Sequence, residues 1–364
     1  MMGIYLDGMF YKCSGVGRVY ENLLEALAAR PDFGEIHTLV PKEQKDRFLE
    51  QYNAPSIKPQ FVGYGPMSVW DLFRKSAALS ALKNSVRLFF FTSHNVPIYV
   101  PGKYVMMVHD LTVLTERFAL ALPKKEGFRR LLARAVRNAE EVAAVSSTTR
   151  RNLIKEFGVP AENVRVIYPW IRDEFFDPPE EESFYVAGDY ILYLGLRIAH
   201  KNVEGVLQAF AILAEWFPEL RLVVAGPRYS DPDMVDKWRY DPRVKGRIVE
   251  MSKVTDDGIR SLFARARALV FPSFAEGFGL PPLEAMAAGV PVVCSDIPIF
   301  REVYGSAARY VDPEKPVSIA RGVKDVLSDS AYANMLREKG KERAAIYRRK
   351  EATGRFIDLV EANL

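Results

Sequence analysis

Short apolar runs alternate with longer amphipathic stretches along the whole chain. The runs predict strands at Gly3–Leu6, Ile36–Val40, Leu88–Thr92, Tyr104–Val108, Val142–Ser146 and Val164–Tyr168 in the first half. In the second half they predict Tyr190–Leu194, Leu220–Ala225, Arg247–Met251, Ala268–Pro272, Pro291–Cys294 and Ala308–Val311. Several are continuous rather than alternating, as in LFFF at 88–91 and YILYL at 190–194. Continuous runs suit parallel strands buried on both faces. Helical spacing fills the intervals, for example Val203–Phe217 with apolar residues at 203, 206, 207, 210, 213 and 217. Strand–helix alternation repeated in two halves predicts an α/β chain of two Rossmann-like, doubly wound domains. Residues 169–189 are rich in proline and acid and have no clean period. The expected layout is an N-terminal domain over 1–172, a linker over 173–189, a second domain over 190–345 and a last helix over 346–364 that packs back toward the first domain.

The length of 364 residues agrees with two domains. With 49% hydrophobic and 26% charged residues, the composition is that of a globular protein and excludes disorder or collagen-like structure. Two cysteines, Cys13 and Cys294, make neither a disulfide framework nor, alone, a zinc site, and point to a reducing compartment. No apolar run approaches the ~20 residues of a spanning helix, and MMGIYLDGMF has no basic, cleavable leader pattern. A cytoplasmic setting is expected. The net charge of +4 comes entirely from residues 1–180, with 24 basic and 20 acidic residues against 26 and 26 beyond. Residues 58–137 hold 13 basic and 4 acidic residues. Two readings carry equal weight: a contact with an anionic membrane surface or a phosphate-bearing acceptor, and a solvated helix face. Without a recognition module, nucleic acid is not an expected partner.

Doubly wound sheets bind ligands beyond the carboxyl ends of their strands, so polar residues directly after strands are the ones to read. The most informative segment is 272–296, PSFAEGFGLPPLEAMAAGVPVVCSD. It leaves a strand, passes a glycine-rich loop and opens a helix at Pro281–Pro282, where proline is tolerated. Gly277 and Gly279 let backbone approach a ligand, and the helix start is an anion site. Glu276 precedes the loop and Glu284 is expected in the first helical turn. Taken singly, Glu284 could complement the helix dipole and Glu276 be an exposed loop acid. Together with the glycines and prolines they suit a ligand that carries both phosphate and vicinal hydroxyls.

EGFGLPPLE resembles the E-x7-E motif of the family 4 retaining glycosyltransferases, whose GT-B fold has two facing Rossmann-like domains. The resemblance extends to SGVGR at 14–18, VHDLTVL at 108–114, AVSSTTRRNL at 144–153, GLRIAHKN at 195–202 and SDIPIFREV at 295–303, nearly the whole chain. Its nearest flavour is the bacterial mannosyltransferase-like branch that builds surface polysaccharide. The resemblance implies transfer of a hexose, mannose as the first guess, from a nucleoside diphosphate sugar to a glycan or lipid-linked acceptor, with retention. GDP-mannose is the first-guess donor, with no cofactor and no metal. The resemblance also implies a bacterial or archaeal cytoplasm, with a peripheral place at the inner face of the membrane as one option.

By the same resemblance Arg197 and Lys201 hold the donor diphosphate, as fixed cations facing the charge that grows on the leaving group. Glu276 goes to hydroxyls of the donor sugar beside the backbone of Gly277, Phe278, Gly279 and Leu280, and Glu284 goes to the ribose. Gly15 and Gly17, read as opening a helix over Arg18–Arg30, lie near the phosphates, and His109 bonds the donor sugar. Asp110 orients His109 or contacts the acceptor, and His94 and Asn95 in the loop SHNVPIY are acceptor-side candidates. Asn202 is read as a helix cap and Asp231-Pro-Asp233 as a turn rather than a metal motif. Three rivals remain: a nicotinamide oxidoreductase, which lacks its third glycine because Tyr20 stands there, a GT-B sugar-nucleotide epimerase or hydrolase, and a non-catalytic nucleotide-sugar-binding subunit.

Overall fold

The computed structural model describes residues 3–66, 69–115, 122–179, 185–228 and 233–364. Among these, residues up to 170 together with 350–364 form one compact unit, and residues 171–349 form the second.

In unit 1 the strands are β1 (Gly3–Leu6), β2 (Ile36–Pro41), β3 (Ile57–Val62), β4 (Val86–Phe91), β5 (Tyr104–Val108), β6 (Glu141–Ala144) and β7 (Val164–Val166). They make one parallel sheet in the order β3-β2-β1-β4-β5-β6-β7. The apolar run of β4 shows why such strands need helices on both faces. Phe89 and Phe91 turn to one side against Tyr5, with ring centroids at 5.8 Å. Phe90 turns to the other and meets Phe356 edge-on at 5.4 Å. Phe356 belongs to the last helix, Arg349–Asn363, which is thus part of unit 1. Arg30–Glu361 at 2.6 Å and Asn363–Glu141 at 3.0 Å fasten the C-terminal end of that helix.

Strand β3 is the element absent from the sequence reading. It is an edge strand whose residues alternate in burial, with Lys58 and Gln60 exposed and Pro59 between them. An edge position tolerates proline because one side of the strand needs no partner.

In unit 2 the strands are β8 (Tyr190–Leu194), β9 (Arg221–Ala225), β10 (Ile248–Met251), β11 (Ala268–Phe271), β12 (Val292–Ser295) and β13 (Arg309–Val311). They form a parallel sheet in the order β10-β9-β8-β11-β12-β13. Its core joins Ile191, Tyr193 and Val224 to Leu207 and Phe210 of the helix Val203–Trp216. The unit begins at Ile171, inside the acidic stretch: Phe175 is buried beside Phe263, and Arg172 pairs with Asp256 at 3.1 Å. The helix Ser330–Ala345 belongs to unit 2, and after a break at Ile346–Arg348 the helix Arg349–Asn363 crosses into unit 1 from Lys350 onward.

Candidate active site

In unit 2 the chain leaves β8 toward β9 on one side and β11 toward β12 on the other, so β8 and β11 flank the topological switch point. The loops that follow these two strands carry the expected donor-site residues, and the backbone ties them together through Phe274 N–H donating to His200 O at 2.8 Å. Across the junction Lys201 Nζ lies 2.6 Å from Glu276 Oε1. Lys201 also sits over the Phe271 ring, 5.6 Å from its centroid. The next residue, Asn202, takes a left-handed conformation (φ 57°) and its side chain accepts from Gly205 N–H, which starts the helix behind Lys201. The αL turn costs a non-glycine residue free energy, but asparagine is the residue type that tolerates it best.

Gly279 caps the helix Leu280–Ala287 with φ 90°. A Cβ there would lie 2.1 Å from Tyr304 Oη, which donates to Gly279 O at 2.8 Å, so only glycine fits. Pro281 and Pro282 carry no N–H, which leaves Gly277, Phe278, Gly279 and Leu280 as the loop donors that an anion can meet. Because the helix begins at Leu280, Glu284 falls in its second turn, not the first, and is buried. Complementing the helix dipole therefore does not explain it, since that effect fades beyond the first turn.

Arg197 is tied into an acidic network that its sequence neighbours do not announce. Its side chain is fully buried, and Nη1 donates to Asp233 Oδ2 at 2.6 Å and Glu250 Oε1 at 2.7 Å. Its Nε and Nη2 are buried without a hydrogen-bond partner among the described residues. Glu250 also receives Arg228 (2.6 Å and 2.8 Å) and Arg239 (2.6 Å). These contacts, Arg228 first and then Arg197, hold the Glu250 carboxyl at about 2. Asp233 is the N-cap of Met234–Trp238 in a capping box with Asp236, so the second acid of the Asp-Pro-Asp sequence does structural work. Asp231 and Pro232 lie outside the described residues. The sequence reads as a turn here; the cap and its pairing with an arginine 36 residues away are seen only in the structure.

In unit 1, His94 and His109 follow the neighbouring strands β4 and β5. His109 Nε2 donates to Thr92 O at 2.8 Å. A carbonyl only accepts, so Nε2 carries the proton and the neutral ring presents Nδ1 as an acceptor. Burial lowers the pKa of His109. His94 packs edge-on against Phe128 at 5.0 Å, and its Nε2 is buried without a partner among the described residues. Burial pushes His94 down to about 4, with Asp110 pulling the other way. Asp110 Oδ1 accepts from Thr112 N–H at 2.8 Å and closes its own turn.

Asn95 is buried: its Nδ2 donates to Asp71 and its carbonyl accepts from Lys75 Nζ at 3.1 Å, so it shapes the loop from below. Lys75, itself fully buried, pairs with Asp7 at 3.2 Å, directly after β1. This buried cluster escaped the sequence reading, although Asp71 and Lys75 have the i,i+4 spacing of a helical pair.

The N-terminal glycines sit within the helix Ser14–Ala28, which starts four residues before the expected Arg18. A Cβ on Gly17 would lie 2.3 Å from Phe10 O, so glycine lets the preceding loop fold onto the first turn. Gly15 has open space beside it.

The histidines make a pH prediction. In a group held below its ordinary value, the unfolded chain takes up the proton first as pH falls. The contribution of His94 is therefore complete above pH 6.5 and is lost between 6.5 and about 4. For Glu250 the loss begins only below its ordinary 4.5. Denaturant melts of the wild type and His94→Gln between these pH values should converge as pH falls; parallel curves would contradict the assignment.

Two family models match the chain: "Glycosyltransferase Family 4" over residues 13–175 and "Glycosyl transferases group 1" over 178–343. The chain is 28% identical to O-antigen chain mannosyltransferase B of Escherichia coli, over 96% of each chain. It is also 28% identical to O-antigen chain mannosyltransferase RfbU of Salmonella typhimurium, over 71% of this chain and 70% of that one. Among solved structures, HepE of Anabaena in complex with UDP-glucose superposes with a TM-score of 0.80 at 16% identity, over 100% of both chains. The two matched segments follow one another along the chain, one for each sheet, and the fold agrees with both; the chain belongs to the group 1 and family 4 glycosyltransferases and has their GT-B fold.

Proposed function

We propose that this glycosyltransferase moves a hexose from a nucleoside diphosphate sugar to a glycan or lipid-linked acceptor in surface polysaccharide synthesis, with retention of anomeric configuration. The observation that carries the reading is the meeting of Lys201 and Glu276 at the β8/β11 switch point, inside the E-x7-E loop. Mannose from GDP-mannose is the first reading of the donor, supported by the names of the two relatives.

Each residue then has a chemical task. As the bond from the sugar C1 to the phosphate breaks, negative charge grows on the diphosphate. Lys201 and the backbone N–H groups of Gly277–Leu280 stabilise that charge. Glu276 accepts hydrogen bonds from hydroxyls of the donor sugar, and Glu284 from the ribose. The acceptor hydroxyl attacks C1 on the face the diphosphate leaves and passes its proton to a phosphate oxygen, so no protein nucleophile is needed. The cationic side chain does the work for which other transferases recruit a metal ion, so turnover is expected to survive a chelator. Arg197, whose Nη1 is held by Asp233 and Glu250, positions the loop after β8. In unit 1, His109 Nδ1 and the His94 ring are offered to sugar hydroxyls.

The test is incubation with GDP-mannose and with UDP-glucose, each with and without lipid-linked oligosaccharide acceptors. Proton NMR of the product should show the anomeric configuration of the donor. An inverted product would remove the retaining mechanism. Free or epimerised sugar made equally well without acceptor would favour a hydrolase or epimerase, and stabilisation by a nicotinamide dinucleotide alone would favour an oxidoreductase.

We also infer that unit 1 touches an anionic membrane. The helix Leu122–Asn138 has six basic residues and one acid, and it leaves Leu122 and Leu131 exposed. Exposed Ile98 and Tyr99 adjoin it through Arg134, which donates to Ile98 O, and Tyr99 N–H bonds Ser76 on the helix that exposes Phe73. Apolar side chains among cations suit a lipid interface. Phosphatidylglycerol-rich vesicles should sediment the protein at low salt, and Lys124→Glu with Arg130→Glu should abolish this; equal binding to pure phosphatidylcholine would contradict the electrostatic part.

A further inference from the structure

The cation and the carboxylate of the donor site satisfy each other. Lys201 Nζ and Glu276 Oε1 are 2.6 Å apart, and the two side chains are 18% and 10% exposed. On the donor-site reading above, these same groups serve two different parts of the ligand. Lys201 has three donors but one charge, and a diphosphate that draws that charge weakens its bond to Glu276. We infer that the Lys201–Glu276 pair is an exchange contact that makes the site select the intact sugar nucleotide over the nucleoside diphosphate left after transfer.

When Lys201 turns to a diphosphate, Glu276 loses its charged partner in a mostly buried place, and an unpaired buried charge is costly. Two tyrosines are close enough for Glu276 to raise their pKa. Neither hydroxyl is a ready replacement: Tyr193 donates to Leu196 O and Tyr304 donates to Gly279 O. An intact donor brings the replacement with it, because its sugar hydroxyls donate to Glu276 and charge-assisted bonds are exchanged one for another. A bare nucleoside diphosphate brings none, and its terminal phosphate places more negative charge near the stranded carboxylate. The spent product is therefore held less tightly than the donor, and restoring the ion pair helps expel it. Lys201 is fixed for this exchange by the Asn202 cap behind it, while the Phe274–His200 bond keeps the two loops in register.

The test measures binding by titration calorimetry, using whichever of the pairs GDP/GDP-mannose and UDP/UDP-glucose the wild type takes. The wild type should bind the sugar nucleotide about tenfold more tightly than the diphosphate, the scale of one charged hydrogen bond. Glu276→Gln keeps the shape and removes the charge. It should raise diphosphate affinity by roughly fivefold to tenfold and bring the ratio close to one. With Lys201→Met as background, where no ion pair exists to break and only the repulsion between Glu276 and the phosphate remains, Glu276→Gln should raise diphosphate affinity by less than it does beside Lys201. The inference is overturned if Glu276→Gln leaves diphosphate binding unchanged or weakens it while the wild type still binds both ligands. If the wild type binds neither pair, the donor-site reading falls, and the inference with it.

Discussion

Replacing Lys201 by alanine is expected to lower sugar transfer by at least ~10²-fold while the protein stays folded, the size of effect seen when one transition-state donor is removed from a preorganised site. The side chain is partly exposed, and its one ion-pair partner is Glu276 among the described residues, so its loss leaves the core of unit 2 intact. The effect should fall on kcat, because charge on the diphosphate grows as the bond to C1 breaks. Glu276→Ala should cost a similar factor through lost contacts to the donor sugar. Steady-state kinetics with circular dichroism on both variants is the check. Near-normal kcat in the lysine variant would remove Lys201 from the diphosphate site.

Arg197→Met should do the opposite: it should unfold unit 2 more easily. Arg197 is the cation shared by Asp233 and Glu250, and its side chain is fully buried. Removing one partner of such a buried group costs about 3–5 kcal/mol. The lower end is expected here because Glu250 keeps Arg228 and Arg239. The network joins the loop after β8 to the cap of Met234–Trp238 and to β10, so the loss should appear in the transition of that unit. Denaturant unfolding is the measurement. An unchanged midpoint together with a lysine-like loss of kcat would return Arg197 to the phosphates and contradict its role as a positioning residue.

The contrast between these two residues shows where the sequence could be read and where it could not. Both stand in GLRIAHKN, and both are cations just after a buried apolar strand. What separates them is partners 36 and 53 residues away for Arg197 and 75 residues away for Lys201, and such distant pairing leaves no local pattern. Local physics was legible. Continuous apolar runs marked β4 and β8, and Asn202 read as a cap is a cap. Elements that break the local rule are hidden from it: β3 contains Pro59, and the first helix begins through Gly15 and Gly17. In the latter case the packing of Phe10 against Gly17 outweighs the poor helix propensity of glycine. Asn95 looked like a sugar ligand because of its polar loop, yet burial by Lys75 and Asp71 gives it a supporting task.

On the proposed function, the β8/β11 switch point of unit 2 holds a nucleoside diphosphate on Lys201. The direct measurement is thermal stabilisation by GDP, UDP and ADP, each against its monophosphate, without added metal, in the wild type and in Lys201→Ala. A ligand at ~100 times its dissociation constant adds ~2.7 kcal/mol, a visible shift. One diphosphate should stabilise the wild type more than its monophosphate does, and that increment should vanish in the variant. An increment that persists without Lys201, or a wild type indifferent to every diphosphate, would contradict the account.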